Sequence, residues 1–60
     1  MKTPEQIMAA ARAGDPDSQE QIALGFERVG DPGQALSWMG LAARSGRASA
    51  IARLGLWELV

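Results

Sequence analysis

Three glycine-centred breaks constrain this chain more than any other feature. Gly14-Asp15-Pro16, Gly30-Asp31-Pro32-Gly33 and Ser45-Gly46 recur about one short helix apart. Glycine adopts positive φ without steric penalty and ends helices at the position after the C-cap. Aspartate caps the helix that follows, and proline is accepted at its first position, where the missing N–H removes no hydrogen bond. Gly-Asp-Pro therefore stops one helix and starts the next with almost no loop. The beginning of the chain carries its own start signal: Thr3 caps, Pro4 fits the first position and Gln6 completes a Thr-x-x-Gln capping box. Asp31 with Gln34 predicts a second box. The expected helices are 4–13, 16–29, 32–45 and 48–59, within one domain 1–60. The last has the weakest start, because Arg47 stands where the equivalent break has Asp15, and a cation at a helix N-terminus opposes the macrodipole.

Apolar spacing agrees with helices. Ile22, Phe26 and Val29 fall at i, i+4 and i+7, and Ala35, Trp38, Met39 and Ala42 at i, i+3, i+4 and i+7. Ile51 and Leu54 keep the frame until Glu58 turns it polar. No segment alternates with period two, so no strand is expected. The fold class read from this pattern is all-α, four short antiparallel helices arranged as stacked helical hairpins. Of 28 apolar residues 11 are alanine, the best helix former and a small one, so the core requires helices that pack closely side by side. A 60-residue chain buries only about 60% of the surface it exposes when unfolded. Such chains draw extra stability from disulfides, metals or a partner surface. With no Cys and no His, disulfides, thiolate or imidazole metal sites and histidine general-base chemistry are excluded. A partner surface or a longer repeat array is what remains.

The chain also resembles itself. Residues 10–14 read Ala-Ala-Arg-Ala-Gly and residues 42–46 read Ala-Ala-Arg-Ser-Gly, an offset of 32. The same offset pairs Ser18 with Ala50, Ile22 with Leu54, Ala23 with Gly55 and Leu24 with Leu56. A helical hairpin repeated every 30–40 residues is the signature of an α-solenoid. Ala35-Leu36-Ser37-Trp38, then Ala42-Ala43-Arg44-Ser45-Gly46, then Ala50 and Leu54-Gly55 resemble the Sel-one-like subfamily of tetratricopeptide-type repeats. The resemblance spans roughly residues 7–58, with departures: a loop about four residues shorter, Ala23 where the pattern prefers Gly, and Glu58 in place of an aromatic residue that Trp57 stands beside. It implies a solenoid in which small residues let helices approach and Trp38 fills the space between successive pairs. It also implies that helices 16–29 and 48–59 line a concave groove. The groove positions carried over are Asp17, Glu20, Leu24 and Glu27, then Ser49, Ala52, Leu56 and Leu59.

Little else in the sequence carries chemistry. The acidic residues Asp15, Asp17 and Glu20 cluster at a helix start, which capping explains. The glycines fall singly, at the breaks or within the expected helices, and form no phosphate loop. Ser18, Ser37, Ser45 and Ser49 have no His or Lys base placed to activate them. No catalytic residue, cofactor or metal is expected, and the expected function is a non-catalytic protein–protein interaction or assembly module. The net charge of −1 argues against nucleic acid as partner. Charge is uneven, however. Residues 1–31 sum to −3 (Lys2, Arg12 and Arg28 against Glu5, Asp15, Asp17, Glu20, Glu27 and Asp31) and residues 32–60 to +2 (Arg44, Arg47 and Arg53 against Glu58). An acidic end and a basic end favour head-to-tail contacts, although in so short a chain chance suffices to produce them.

The groove, acidic at one side and apolar at the other, suits a peptide with a basic residue beside apolar anchors. The end of the chain is apolar on more than one face, and Leu56, Trp57 and Leu59 are the expected self-association surface. The partners expected are therefore a protein or peptide, another copy, or further repeats. Two alternatives are an N-terminal accessory repeat of a larger enzyme, for which the resemblance offers an iron(II)/2-oxoglutarate oxygenase as context, and a self-associating structural unit. Met1-Lys2 is followed by Thr-Pro-Glu-Gln and not by an apolar run, and no apolar stretch approaches the roughly 20 residues of a membrane span. The expected location is the cytoplasm, with no membrane partner.

Overall fold

The computed structural model describes residues 2–58 and consists of four helices: α1 (Pro4–Arg12), α2 (Pro16–Arg28), α3 (Pro32–Arg44) and α4 (Ala48–Glu58). No strand occurs among the described residues. The first three helices end one residue earlier than expected, because Ala13, Val29 and Ser45 act as C-caps.

All three breaks are built the same way. Gly14, Gly30 and Gly46 have φ of 104°, 81° and 89°. In each, the glycine N–H returns to a carbonyl of the last turn and the residue after it reaches one carbonyl further back. At the first break Gly14 N donates to Ala11 O and Asp15 N to Ala10 O, at 3.1 and 3.0 Å. At the second, Gly30 N donates to Glu27 O and Asp31 N to Phe26 O, at 3.2 and 2.9 Å. At the third, Gly46 N donates to Ala43 O and Arg47 N to Ala42 O, at 3.0 and 3.3 Å. This is the Schellman arrangement, which satisfies the carbonyls a helix end leaves bare. An L side chain is strained at such φ, and Gly46→Ala is expected to lower stability by about 1–2 kcal/mol. Urea denaturation of the two proteins measures it. A loss within error of zero would show that the third break tolerates another backbone conformation.

The caps differ. Thr3 forms the full box: its Oγ1 accepts from Gln6 N at 3.2 Å, and its own N–H donates to Gln6 Oε1 at 2.9 Å. Asp15 accepts from Ser18 N at 3.2 Å and from Ser18 Oγ at 2.6 Å. Asp31 accepts from Gln34 N at 3.3 Å, but the reciprocal half of the box expected there does not form. The Asp31 N–H is already committed to Phe26 O at the end of α2.

Packing is sequential: α1 lies against α2, α2 against α3 and α3 against α4. The molecule measures 32 × 25 × 17 Å, so its thinnest dimension is less than two helix diameters of about 10–12 Å each. Among the described residues the buried apolar ones are Ala11, Ala23, Ala35, Met39, Ala42 and Ala50. Around Ala23, Met39, Ala42 and Ala50 pack the half-buried Leu24, Trp38, Ala43, Leu54 and Trp57. The alanine-rich composition thus becomes the core itself. Ile22, Phe26 and Val29, the helical stripe of α2, do not join it. Ile22 and Phe26 are half-buried, and Val29 is 77% exposed. Gln19, by contrast, is buried and ties α2 to α1 through Nε2 donating to Ala11 O at 3.0 Å. The accessible surface of 4144 Å² is about a tenth above the roughly 3,800 Å² expected of a compact chain of this mass.

Candidate functional site: an ionic clasp and two apolar grooves

Asp17, Glu20, Leu24 and Glu27 recur at three- and four-residue steps and so share one stripe of α2. The structure turns much of this stripe toward α4. Glu20 is only 6% exposed. Its Oε1 accepts from Arg47 Nε at 2.8 Å and from Ser49 Oγ at 3.0 Å, and Arg53 Nε lies 3.3 Å from its Oε2. Arg47 also reaches Asp17 Oδ1 through a terminal nitrogen at 2.9 Å, and Gln21 Nε2 donates to Asp17 Oδ2 at 3.2 Å. Six side chains, Asp17, Glu20 and Gln21 of α2 with Arg47, Ser49 and Arg53 at and after the start of α4, thus form an ionic clasp.

The clasp revises the sequence expectations in two ways. Glu20 and Ser49 are not free to meet a ligand, because each is spent on the other helix. Arg47 is not merely a missing cap: it brings the charge that holds Glu20 and Asp17 beside the first turn of α4. A buried carboxylate near that turn supplies the negative charge a helix N-terminus favours. Of the acidic cluster only Asp15 is explained by capping. Among the described residues, no group of three or more Asp, Glu, His or Cys is placed to hold a metal ion.

Electrostatics follow from the contacts. The Arg47 hydrogen bond holds the Glu20 carboxyl below its ordinary range against the opposing effect of burial, and Ser49 and Arg53 add to it. Arg47 is raised in turn, chiefly by Glu20. Asp15 is lowered mainly by the Ser18 hydroxyl.

The remaining expected site residues separate. Leu24 is half-buried against the core, whereas Glu27, Ala52 and Leu56 are exposed, Leu56 at 65%. Trp57 is also half-buried against the core, so it does not belong to a bare apolar strip as expected. Leu59, assigned to both the groove and the self-association surface, lies outside the described residues.

Two apolar grooves complete the surface. One, of about 380 Å³, runs between α1 and α2 and is walled by Ile7, Met8, Ile22, Phe26 and Val29, with Gly25 among its lining residues. The other, of about 440 Å³, is lined by Glu27 of α2, Pro32, Ala35 and Leu36 of α3, and Trp57 of α4. Both lie in the size range of ligand-binding clefts. Sequence reasoning missed Leu36, Arg47 and Arg53 as site residues. The signal for Arg47 was present: it replaces Asp15 in the 32-residue frame, and a charge reversal between equivalent helix starts implies a new partner.

No described helix is long and apolar enough to cross a membrane. Set against known proteins, the chain matches no family model, no curated protein and no solved structure.

Proposed function

We propose that this chain is a non-catalytic protein–protein interaction module of the tetratricopeptide or Sel-one-like type, working in the cytoplasm. Its ligand is a peptide segment with an apolar anchor and an adjacent basic residue. One observation carries this reading: in the 440 Å³ groove the exposed carboxylate of Glu27 borders an apolar wall of Ala35, Leu36 and Trp57. An anchor side chain buried there gains apolar contact, with Leu36 still 43% exposed in the free protein. A neighbouring Arg or Lys meets Glu27. Asp17 and Glu20, already paired to arginines, offer no comparable charge.

The reading is tested by titrating short peptides that place Arg beside Leu or Phe, with Trp57 fluorescence as readout in a Trp38→Phe background. A saturable change is expected, and Glu27→Lys is expected to weaken binding at least tenfold while circular dichroism stays unchanged. Absence of any saturable signal, or equal affinity for Glu27→Lys, overturns it.

A further inference from the structure

We propose that the groove between α1 and α2 receives α4 of a second copy of this chain, in a head-to-tail contact that repeats between molecules the packing of α2 on α3 and α4 within one. The proposal deepens the assembly side of the function above and rests on that reading, but it uses the other groove.

The 32-residue frame lays α1 and α2 over α3 and α4. Helices α1 and α3 end at Arg12 and Arg44, and α2 and α4 begin at Pro16 and Ala48. Within one molecule α2 contributes Ala23 and Leu24 to the cluster that holds Met39, Leu54 and Trp57. One frame earlier these three positions are Ile7, Ile22 and Gly25. All three line the α1–α2 groove. Met39 is 0% exposed, whereas Ile7, its equivalent, is only half-buried. One frame later, Ala23 and Leu24 become Gly55 and Leu56, both exposed. The chain therefore carries at one end an uncovered version of the surface on which α2 sits. At the other end it carries an uncovered version of the helix that sits there.

Shape and charge agree with this pairing. Where α4 has the indole of Trp57, the groove has Gly25, and a Cβ placed there meets nothing within 4 Å. The space that an indole fills in the core is open in the groove, ready for Leu56 of an incoming helix. Gly55 is smaller than Ala23 and permits at least as close an approach. The position equivalent to Glu20 is Ala52, so the incoming helix brings no carboxylate to the place that Glu20 occupies within one molecule, and none has to be desolvated there. A head-to-tail contact is heterologous, and it adds copies until a ring closes or an open chain forms.

Sedimentation equilibrium of the chain over a hundredfold concentration range, with helicity followed by circular dichroism, tests this. The unaltered protein is expected to grow past the dimer as concentration rises. Gly25→Trp fills the groove and Leu56→Glu disables the incoming helix, so each variant alone is expected to weaken association at least tenfold and remain monomeric. Val29→Glu, at an exposed groove wall, is a second blocking variant if Gly25→Trp disturbs α2. An equimolar mixture of a groove variant with Leu56→Glu is expected to form a one-to-one dimer and stop there, since each partner retains one sound surface. Three results overturn the proposal: an unaltered chain that stays monomeric, a mixture that stays monomeric, or association abolished by Leu56→Glu alone and indifferent to both groove variants. Peptide binding at Glu27 is read separately, because none of these substitutions lies in that groove.

Discussion

Met39→Ala is expected to leave the protein largely unfolded at room temperature. Met39 is fully buried, and among the fully buried residues only Ser18 stands beside it as the next largest side chain. Its neighbours in the core are Ala23, Ala42 and Ala50, which have no rotamers with which to fill a void. Removing a buried Met costs about 2–5 kcal/mol, more where the site cannot collapse. A core in a domain this small rarely supplies more than about 3–5 kcal/mol. The two figures are of the same size, so the folded population falls to a minority. Met39→Leu, which conserves volume, is expected to cost less than about 1.5 kcal/mol. Urea denaturation followed by circular dichroism compares the three proteins. A Met39→Ala protein with a midpoint close to that of the parent would mean that the alanine cluster is not what holds the helices together.

Glu20→Gln is expected to be as damaging as Gly46→Ala and the substitution most visible against pH. The change keeps the shape of the side chain and removes the charge that Arg47, Arg53 and Ser49 converge on. Hydrogen bonds to charged groups contribute about 1.5–3 kcal/mol. Both arginines reach solvent, at 38% and 48% side-chain exposure, so they are rehydrated when the pair is broken, and the expected loss is about 1–2 kcal/mol near neutral pH. In a domain of this size that is roughly 5–15 °C in melting temperature. The sign with pH follows from the lowered Glu20 carboxyl. The folded state binds fewer protons than the unfolded state, so the stabilisation is complete above the ordinary carboxyl value of 4.5. It is lost as pH falls from there through the lower folded value. Parent and variant melting temperatures are thus expected to converge on acidification below about pH 4.5. Asp15, lowered chiefly by Ser18, adds an acid dependence of the same sign in both. A constant gap between the two proteins down to pH 2 would show that Glu20 acts by packing alone.

The legible part of the fold was the part encoded in neighbouring residues. Thr3, Asp15 and Asp31 cap as their types and spacing require, and Gly14, Gly30 and Gly46 end helices at positive φ. Even here two local signals competed: the N–H of Asp31 cannot serve both the end of α2 and a box with Gln34, and the helix end takes it. The site was less legible. Amphipathic spacing marks Ile22, Phe26 and Val29 as readily as Ala35, Met39 and Ala42, because periodicity reports a shared face and not what covers it. In the structure the first set walls an open groove and the second is buried.

The sequence alone determined where each helix starts and stops, because capping, positive φ and the missing proline N–H act within five residues along the chain. Only the tertiary structure decided which faces meet. The clasp joins residues 27 and 29 apart in sequence, and its existence depends on α3 bringing the start of α4 within side-chain reach of α2. No local rule distinguishes a carboxylate that faces solvent, such as Glu27, from one on the same stripe that two arginines close over, such as Glu20. Burial is a property of what packs on a face, and in this chain that is set by helices distant in sequence.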